Sequence, residues 1–160
     1  MGPLKTHYLD ASAIVKLFVD EDGSQIIREY INKHAIFHTT SLCFAEALGV
    51  LKAKYFYRKK ISEEQYLRAS TNLLIYVLQE AIKIKDIDIA HLDVIREVRE
   101  LVKKYSIDIS DAFQIYSLKK GILSVFGGDS QPILITADKK LAKAVKAEGL
   151  TVWNFLKEDQ

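Results

Sequence analysis

Asp10, Glu46, Asp111 and Asp138 are the residues of this chain whose types and positions allow joint chemistry. Asp10 ends the short apolar run Tyr8-Leu9 and turns straight into Ala13-Ile14-Val15-Lys16-Leu17-Phe18. Asp138 follows Pro132-Ile133-Leu134-Ile135-Thr136 in the same way, and Asp111 stands at a helix start just before Ala112. Glu46 is the one charged residue between Ser41 and Leu51. In an open parallel sheet the carboxyl ends of the strands share one edge, and sites form there. Asp10 and Asp138 therefore share that edge, and helix starts packed on it bring Asp111 and Glu46 within reach. Carboxylates crowded together raise one another's pKa, so they need a cation. Oxygen ligands with no Cys or His favour Mg²⁺ or Mn²⁺. Helix N-termini add partial positive charge that helps keep the acids ionised. Each acid also has a plainer role: a lone Asp before a helix is an N-cap, and Glu46 can face water. Their common placement argues against taking all four that way.

The elements that must position these acids alternate along the chain. Leu4 to Leu9 reads as a strand, Ala11 to Val19 as a helix, and Asp20-Glu21-Asp22-Gly23 as its break. Ser24 caps a helix to about Asn32, and Ala35 to His38 is a short strand. His38 reads as a satisfied histidine, not a ligand. Thr40-Ser41 opens a helix that is apolar or small from Leu42 to Leu51 apart from Glu46, and so should be buried on most faces. Ser62-Glu63-Glu64-Gln65 fits a capping box and starts a helix to about Glu80. Ile82 to Asp86 alternates as a half-buried strand, and Ile89 to Tyr105 has helical spacing. Ile107 to Asp111 reads as a turn into a helix from Ala112 to Lys120. Phe126 to Gln131 is a loop in which Asp129 is a turn residue. Pro132 to Thr136 is a strand, Lys139 to Glu148 a helix capped by Asp138, and Leu150 to Trp153 the last strand. This alternation predicts an α/β fold, residues 1–160 forming one domain, with a mostly parallel sheet covered on both faces.

Composition bounds the function classes. The chain has 160 residues, 49% hydrophobic and 28% charged, which excludes a disordered chain. A net charge of +2 permits a nucleic-acid partner without demanding one. One cysteine, Cys43, excludes a disulfide framework and a cysteine-based zinc site; in its apolar run it reads as a small buried residue. No apolar run approaches the ~20 residues of a membrane span, and Met1 to Lys5 shows no signal-peptide segment, so a cytoplasmic protein with no membrane partner is expected. Abundant Lys, Glu, Ile and Tyr with few Cys and Met hint at a heat-loving source.

Tyr8-Leu9-Asp10-Ala11-Ser12, Phe44-Ala45-Glu46-Ala47-Leu48, Ser110-Asp111-Ala112-Phe113 and Ile135-Thr136-Ala137-Asp138-Lys139-Lys140-Leu141 resemble the four motifs of the PIN-domain nucleases, in that family's order and across nearly the whole chain. The similarity is closest to the VapC-type toxins of toxin–antitoxin pairs. The resemblance implies a three-layer α/β/α fold and a metal-dependent ribonuclease. It gives Asp10, Glu46, Asp111 and Asp138 metal-binding or catalytic roles, and places Ser12 and Thr136 at the small hydroxyl positions beside the acids. Asp108 competes with Asp111 for the third motif position, though Asp111-Ala112 fits it better. The loop holding Gly127-Gly128-Asp129 looks like an insertion.

The expected reaction is hydrolysis of RNA phosphodiester bonds with Mg²⁺ or Mn²⁺, leaving by family likeness a 3′-hydroxyl and a 5′-phosphate. The basic run Lys52 to Lys60, interleaved with Tyr55, Phe56 and Tyr57, is the candidate RNA-backbone surface, through Lys54, Arg58 and Lys59. Its plainer reading is a solvated helix end; it could also meet an antitoxin or a second subunit. Lys16 and Lys139 lie near the acid edge and are further phosphate candidates. An antitoxin protein and a homodimer are the expected partners. The alternatives are a housekeeping RNA-processing nuclease of the same family, or a non-catalytic RNA- or protein-binding module, which four intact acids speak against. Receiver domains and haloacid-dehalogenase-like phosphotransferases also place an Asp after a first strand. Ser12 stands where the latter need a second Asp, and Asp138 where the former need a lysine.

Overall fold

A computed structural model describes residues 6–34, 36–121 and 132–156. Leu4 and Lys5 of the first expected strand, Ala35 of the second, and the loop with Gly127-Gly128-Asp129 lie outside the described residues. Along the chain run β1 (His7–Leu9), α1 (Ala11–Phe18), α2 (Ser24–Asn32), β2 (Phe37–Thr39), α3 (Ser41–Phe56), α4 (Glu63–Leu78), β3 (Ile82–Ile84), α5 (Leu92–Tyr105), α6 (Ile109–Lys120), β4 (Ile133–Thr136), α7 (Lys139–Ala147) and β5 (Thr151–Asn154).

The strands form one parallel sheet in the order β3-β2-β1-β4-β5. Each crossover passes through a helix, which covers the sheet on both faces and gives the three-layer α/β/α architecture. The strands are short and apolar because they are buried on both faces; Tyr8, Leu9, Phe37, Leu134 and Ile135 are almost wholly inaccessible. The chain builds from β1 outward to β2 and β3, then returns to the other side of β1 with β4 and β5. The strand order therefore reverses between β1 and β4. Beyond the carboxyl ends of strands at such a reversal, the flanking connections diverge and leave a crevice. Asp10 follows β1 there, and Thr136 ends β4.

Two helical clusters flank the sheet. In one, α1 packs on α2, α3 and α4. In the other, α5 and α6 pack together. Glu148 ties this second cluster to α7: Lys104 (2.8 Å), Lys119 (2.5 Å) and Tyr105 (2.5 Å) all donate to it. Those bonds, from Lys104 first, hold the Glu148 carboxyl down to about 2. The clamp fixes the helices that begin near Asp111 and Asp138 relative to each other.

Several expectations change in detail. Gly23, not Ser24, occupies the N-cap of α2, with φ at +84° in the left-handed region that glycine adopts freely. Ser24 instead folds its hydroxyl back onto the Val19 carbonyl at 2.7 Å, closing the break after α1. The capping box at Ser62 and Gln65 forms as expected. The helix starting near Asp111 begins at Ile109, three residues before Ala112, because nothing in Ile109-Ser110-Asp111 resists helical geometry once the chain leaves Asp108. The largest difference is α3. It is not buried on most faces; Cys43, Ala47, Leu51 and Lys54 are buried along one stripe, while Ala45, Glu46 and Gly49 are exposed. Ala45 and Gly49 carry so little side chain that a continuous apolar run leaves only a narrow face to cover.

Candidate active site

Asp10 occupies the N-cap position of α1, yet its carboxylate caps nothing. Its backbone serves sheet and helix: the N–H donates to the Ile135 carbonyl at 3.1 Å and the carbonyl accepts from Ile14 N at 3.0 Å. The side chain is left to the pocket, where it is 4% exposed. Ser12 Oγ donates to Asp10 Oδ2 at 2.6 Å and Thr136 Oγ1 donates to the same oxygen at 2.7 Å. The Ala137 N–H donates to Ser12 Oγ at 2.9 Å, and the Asp138 N–H donates to Thr136 Oγ1 at 2.9 Å. Ser12 and Thr136 thus pass backbone hydrogen bonds from the β4–α7 turn onto Asp10. Both expected hydroxyl positions sit beside the acid.

Asp138 caps α7 through Oδ1, which accepts from the N–H groups of Lys140 (2.7 Å) and Leu141 (3.0 Å). A cap uses one oxygen and leaves the other available, so capping and pocket duty are compatible at this residue. Asp111 lies in the first turn of α6. Partial burial and then the charges of Asp10, Asp138, Glu46 and Asp108 push its carboxyl up from 3.8 to about 7. Glu46 is exposed in overall area, but loss of hydration around its carboxyl and then Asp10 and Asp108 raise it too, with the Ser110 hydroxyl and Asp138 as opposing and reinforcing neighbours. Asp108 is the N-cap residue of α6 and its side chain makes no capping hydrogen bond. It acts instead as a further negative charge on both Asp111 and Glu46.

The acids from four separate segments therefore feel one another, and each of those charged neighbours of Asp111 is itself an acid. This is negative charge gathered on hard oxygen donors, the setting that suits Mg²⁺ or Mn²⁺. Among the described residues no three acids close into a ready coordination shell. The donor chemistry fits a divalent cation, and Asp10, Glu46, Asp111 and Asp138 could hold it.

One pocket residue is not legible in the sequence. Gln114, 1% exposed, donates from Nε2 to Asp10 Oδ1 at 3.1 Å and to Asp111 Oδ1 at 3.5 Å. It lies three residues after Asp111, so both stand on one face of α6. The signal available was an amide between Phe113 and Ile115, one turn beyond an acid already singled out.

The expected phosphate contacts divide. Lys16 and Lys54 are not on open surface: both reach Glu21, Lys16 at 2.9 Å, with only 12% and 10% of their side chains exposed. Burial alone would push the Glu21 carboxyl up; hydrogen bonds from Lys54 and Lys16 outweigh it and hold the group below its usual range. Lys54 falls on the buried stripe of α3, and the break after α1 delivers Glu21 to it. Lys52, Arg58, Lys59, Lys60 and Lys139 are exposed, and Lys59 Nζ lies over the Tyr55 ring, 5.6 Å from its centre. His38 is buried in β2, its imidazole held below its usual range by burial and by Lys85 and Lys83. Cys43 is buried, and burial first, with Asp10 second, pushes its thiol up to about 12, far from a reactive thiolate.

Residues 7–147 match the family model of the PIN domain. The chain belongs to the PIN domain family. PIN domains are generally nucleases that use divalent metal ions, so membership implies a nucleic-acid partner and suggests hydrolysis. The fold is similar to the crystal structure of PAE2754 from Pyrobaculum aerophilum, with a TM-score of 0.61 at 18% identity, covering 92% of this chain and 88% of that one. No curated protein matches the chain. No described helix of this PIN domain is long and apolar enough to cross a membrane.

Proposed function

We propose that this PIN domain is an endoribonuclease dependent on Mg²⁺ or Mn²⁺, of the VapC toxin type. The supporting observation is the convergence of Asp10, Glu46, Asp111 and Asp138, with Asp111 pushed to about 7 by partial burial and the acids around it. When bound, a divalent cation supplies charge neutralisation at the phosphate and a more acidic attacking water. The chain's own contribution is positional. Ser12 and Thr136 fix the Asp10 carboxylate through Oδ2. The capping bonds of Asp138 fix its rotamer. Asp111 and Glu46 bring charge from two further helices to face the same place. No histidine is needed as general base in this arrangement.

An antitoxin and a homodimer belong to the same proposal. Leu92, Ile95 and Ile109 stand exposed on α5 and α6, apolar surface that a second copy would cover. Sedimentation of the purified chain measures the oligomer, and a small reading frame beside the gene that copurifies as protein supports the toxin assignment.

The deciding experiment incubates labelled RNA with the protein under Mg²⁺, Mn²⁺ or EDTA, beside Asp10→Asn and Asp111→Asn. Metal-dependent cleavage lost in both variants supports the reading. Cleavage that persists in EDTA, or in both variants, overturns it.

A further inference from the structure

We propose that Gln114 is a positioning residue for the acid pocket, its amide bridging Asp10 and Asp111 so that both carboxylates face a divalent cation in one arrangement. The inference rests on the metal-dependent reading above. It stands on the geometry of a side chain that is almost wholly buried. Nε2 lies within hydrogen-bond reach of both acids, at 3.1 Å from Asp10 Oδ1 and 3.5 Å from Asp111 Oδ1. The amide's orientation follows from chemistry, since carboxylates accept and only the NH₂ end can donate. The other end, Oε1, is buried and has no hydrogen-bond partner among the described residues.

That asymmetry is informative. A buried acceptor without a partner weakens a fold, and a methionine of similar length would fill the same space without the penalty. Core packing therefore does not account for an amide here; its donor end does. One nitrogen carries two hydrogens and can serve two carboxylates that otherwise repel. It does so without a full positive charge, which a lysine or arginine would bring and which would compete with the cation. Asp10 is then held on both sides: Oδ2 by the hydroxyls of Ser12 and Thr136, Oδ1 by Gln114. Asp111 is tied into the same frame. Groups that orient metal ligands in this way typically change metal affinity about 10–100-fold when removed.

The test uses the 160-residue chain and Mn²⁺ alone, titrated calorimetrically, with RNA cleavage read separately. Gln114→Met keeps the shape and removes the donor; Gln114→Asn keeps the amide but draws it back from the acids. Both should bind Mn²⁺ about 10–100-fold more weakly than the parent. In cleavage, the Mn²⁺ concentration for half-activation should rise by the same factor, while KM for RNA at saturating Mn²⁺ stays unchanged. A structural role alone would not separate those two constants. Gln114→Met should also couple with Asp111→Asn, the pair losing less Mn²⁺ affinity than the sum of the singles. Should Gln114→Met fail to fold, Gln114→Asn carries the comparison. Mn²⁺ affinity within about twofold of the parent in a folded variant overturns this proposal alone. A parent that takes up no Mn²⁺ overturns the metal-dependent reading and this proposal with it.

Discussion

The Thr136 hydroxyl donates to the Asp10 carboxylate at 2.7 Å, joining residues 126 positions apart in sequence through neighbouring strands. The same oxygen of Thr136 accepts the N–H of Asp138 at 2.9 Å, so one hydroxyl sets two acids of the pocket. Thr136→Val keeps the shape and removes both links. It should lower Mn²⁺ affinity and RNA cleavage about 10–100-fold, whereas Thr136→Ser should stay close to the parent. Equal behaviour of Val and Ser in calorimetry would show that the hydroxyl holds nothing of consequence.

Asp111 gives the fold a pH dependence with a definite sign. Its carboxyl is raised from 3.8 to about 7, so the folded chain binds that proton more tightly than the unfolded chain. The associated stability is complete below about pH 4 and is lost as pH rises to about 7. Without metal, the parent should therefore lose stability relative to Asp111→Asn as pH rises from 5 to 8. Asp111→Asn removes the charge and should melt higher than the metal-free parent at pH 8, by about 1–2 kcal/mol once the partial exposure of the group is discounted. The gap should shrink towards pH 4. Glu46→Gln should gain less, since the larger perturbation falls on Asp111 and not, as the apolar run around Glu46 suggests, on Glu46. Matched thermal melts in EDTA across this pH range check both statements.

Adding a divalent cation should reverse the effect. Near pH 6 the metal-free Asp111 is mostly protonated, so Mn²⁺ binding there should release close to one proton, and at pH 8 almost none. Calorimetry in two buffers of different ionisation enthalpy counts that proton. Equal release at both pH values would separate Asp111 from the metal.

Glu21 should matter to stability and not to chemistry. Glu21→Gln leaves Lys16 and Lys54 poorly paired in a site that water barely reaches. The expected loss is about 2 kcal/mol, below that of a fully buried pair because Glu21 is itself a quarter exposed. RNA cleavage below the melting range should be unchanged. Denaturant unfolding and a cleavage assay on the same sample read the two quantities.

Binding to RNA should separate the cations of α3 and the turn after it. Arg58→Ala with Lys59→Ala should flatten the salt dependence of RNA affinity, by about 0.7 in the log–log slope for each phosphate of a single strand that is no longer neutralised. Lys52→Ala tests the neighbouring exposed position. Lys54→Ala should leave the slope alone, since its ammonium already serves Glu21. Fluorescence anisotropy across a salt series gives the slopes.

Features carried by local chemistry are legible in the sequence. Apolar runs bounded by turn residues locate the parallel strands. Asp138 announces its cap, and Ser62 with Gln65 announce theirs. The rest depends on depth and on partners far along the chain. Leu42 to Leu51 looks buried all round because hydrophobicity counts residue types, whereas burial follows side-chain size and position. Lys54 looks like part of a solvated charge run because nothing nearby in sequence shows that Glu21 reaches it. Gln114 looks like the polar side of an amphipathic helix, and only the folded sheet edge turns that side inward. The start of α6 is hidden because Asp108 and Asp111 are both of a residue type that favours an N-cap, and Asp108 takes that position without a side-chain capping bond to mark it.

The sheet order carries a consequence for how the protein comes into being. β1 is made first but lies in the middle of the finished sheet, hydrogen-bonded to β2 on one side and β4 on the other. While the chain is still emerging from the ribosome, β1 can pair with β2, but its other edge must wait for residues beyond 132. The Asp10 carboxylate waits with it, lacking the Thr136 hydroxyl and the charge of Asp138 until that strand arrives. Pairings between segments so distant in sequence also close slowly. Assembly of the acid pocket is thereby tied to synthesis through residue 138, and a nascent or terminated chain that stops short of it carries Asp10 and Glu46 without the residues that complete their site.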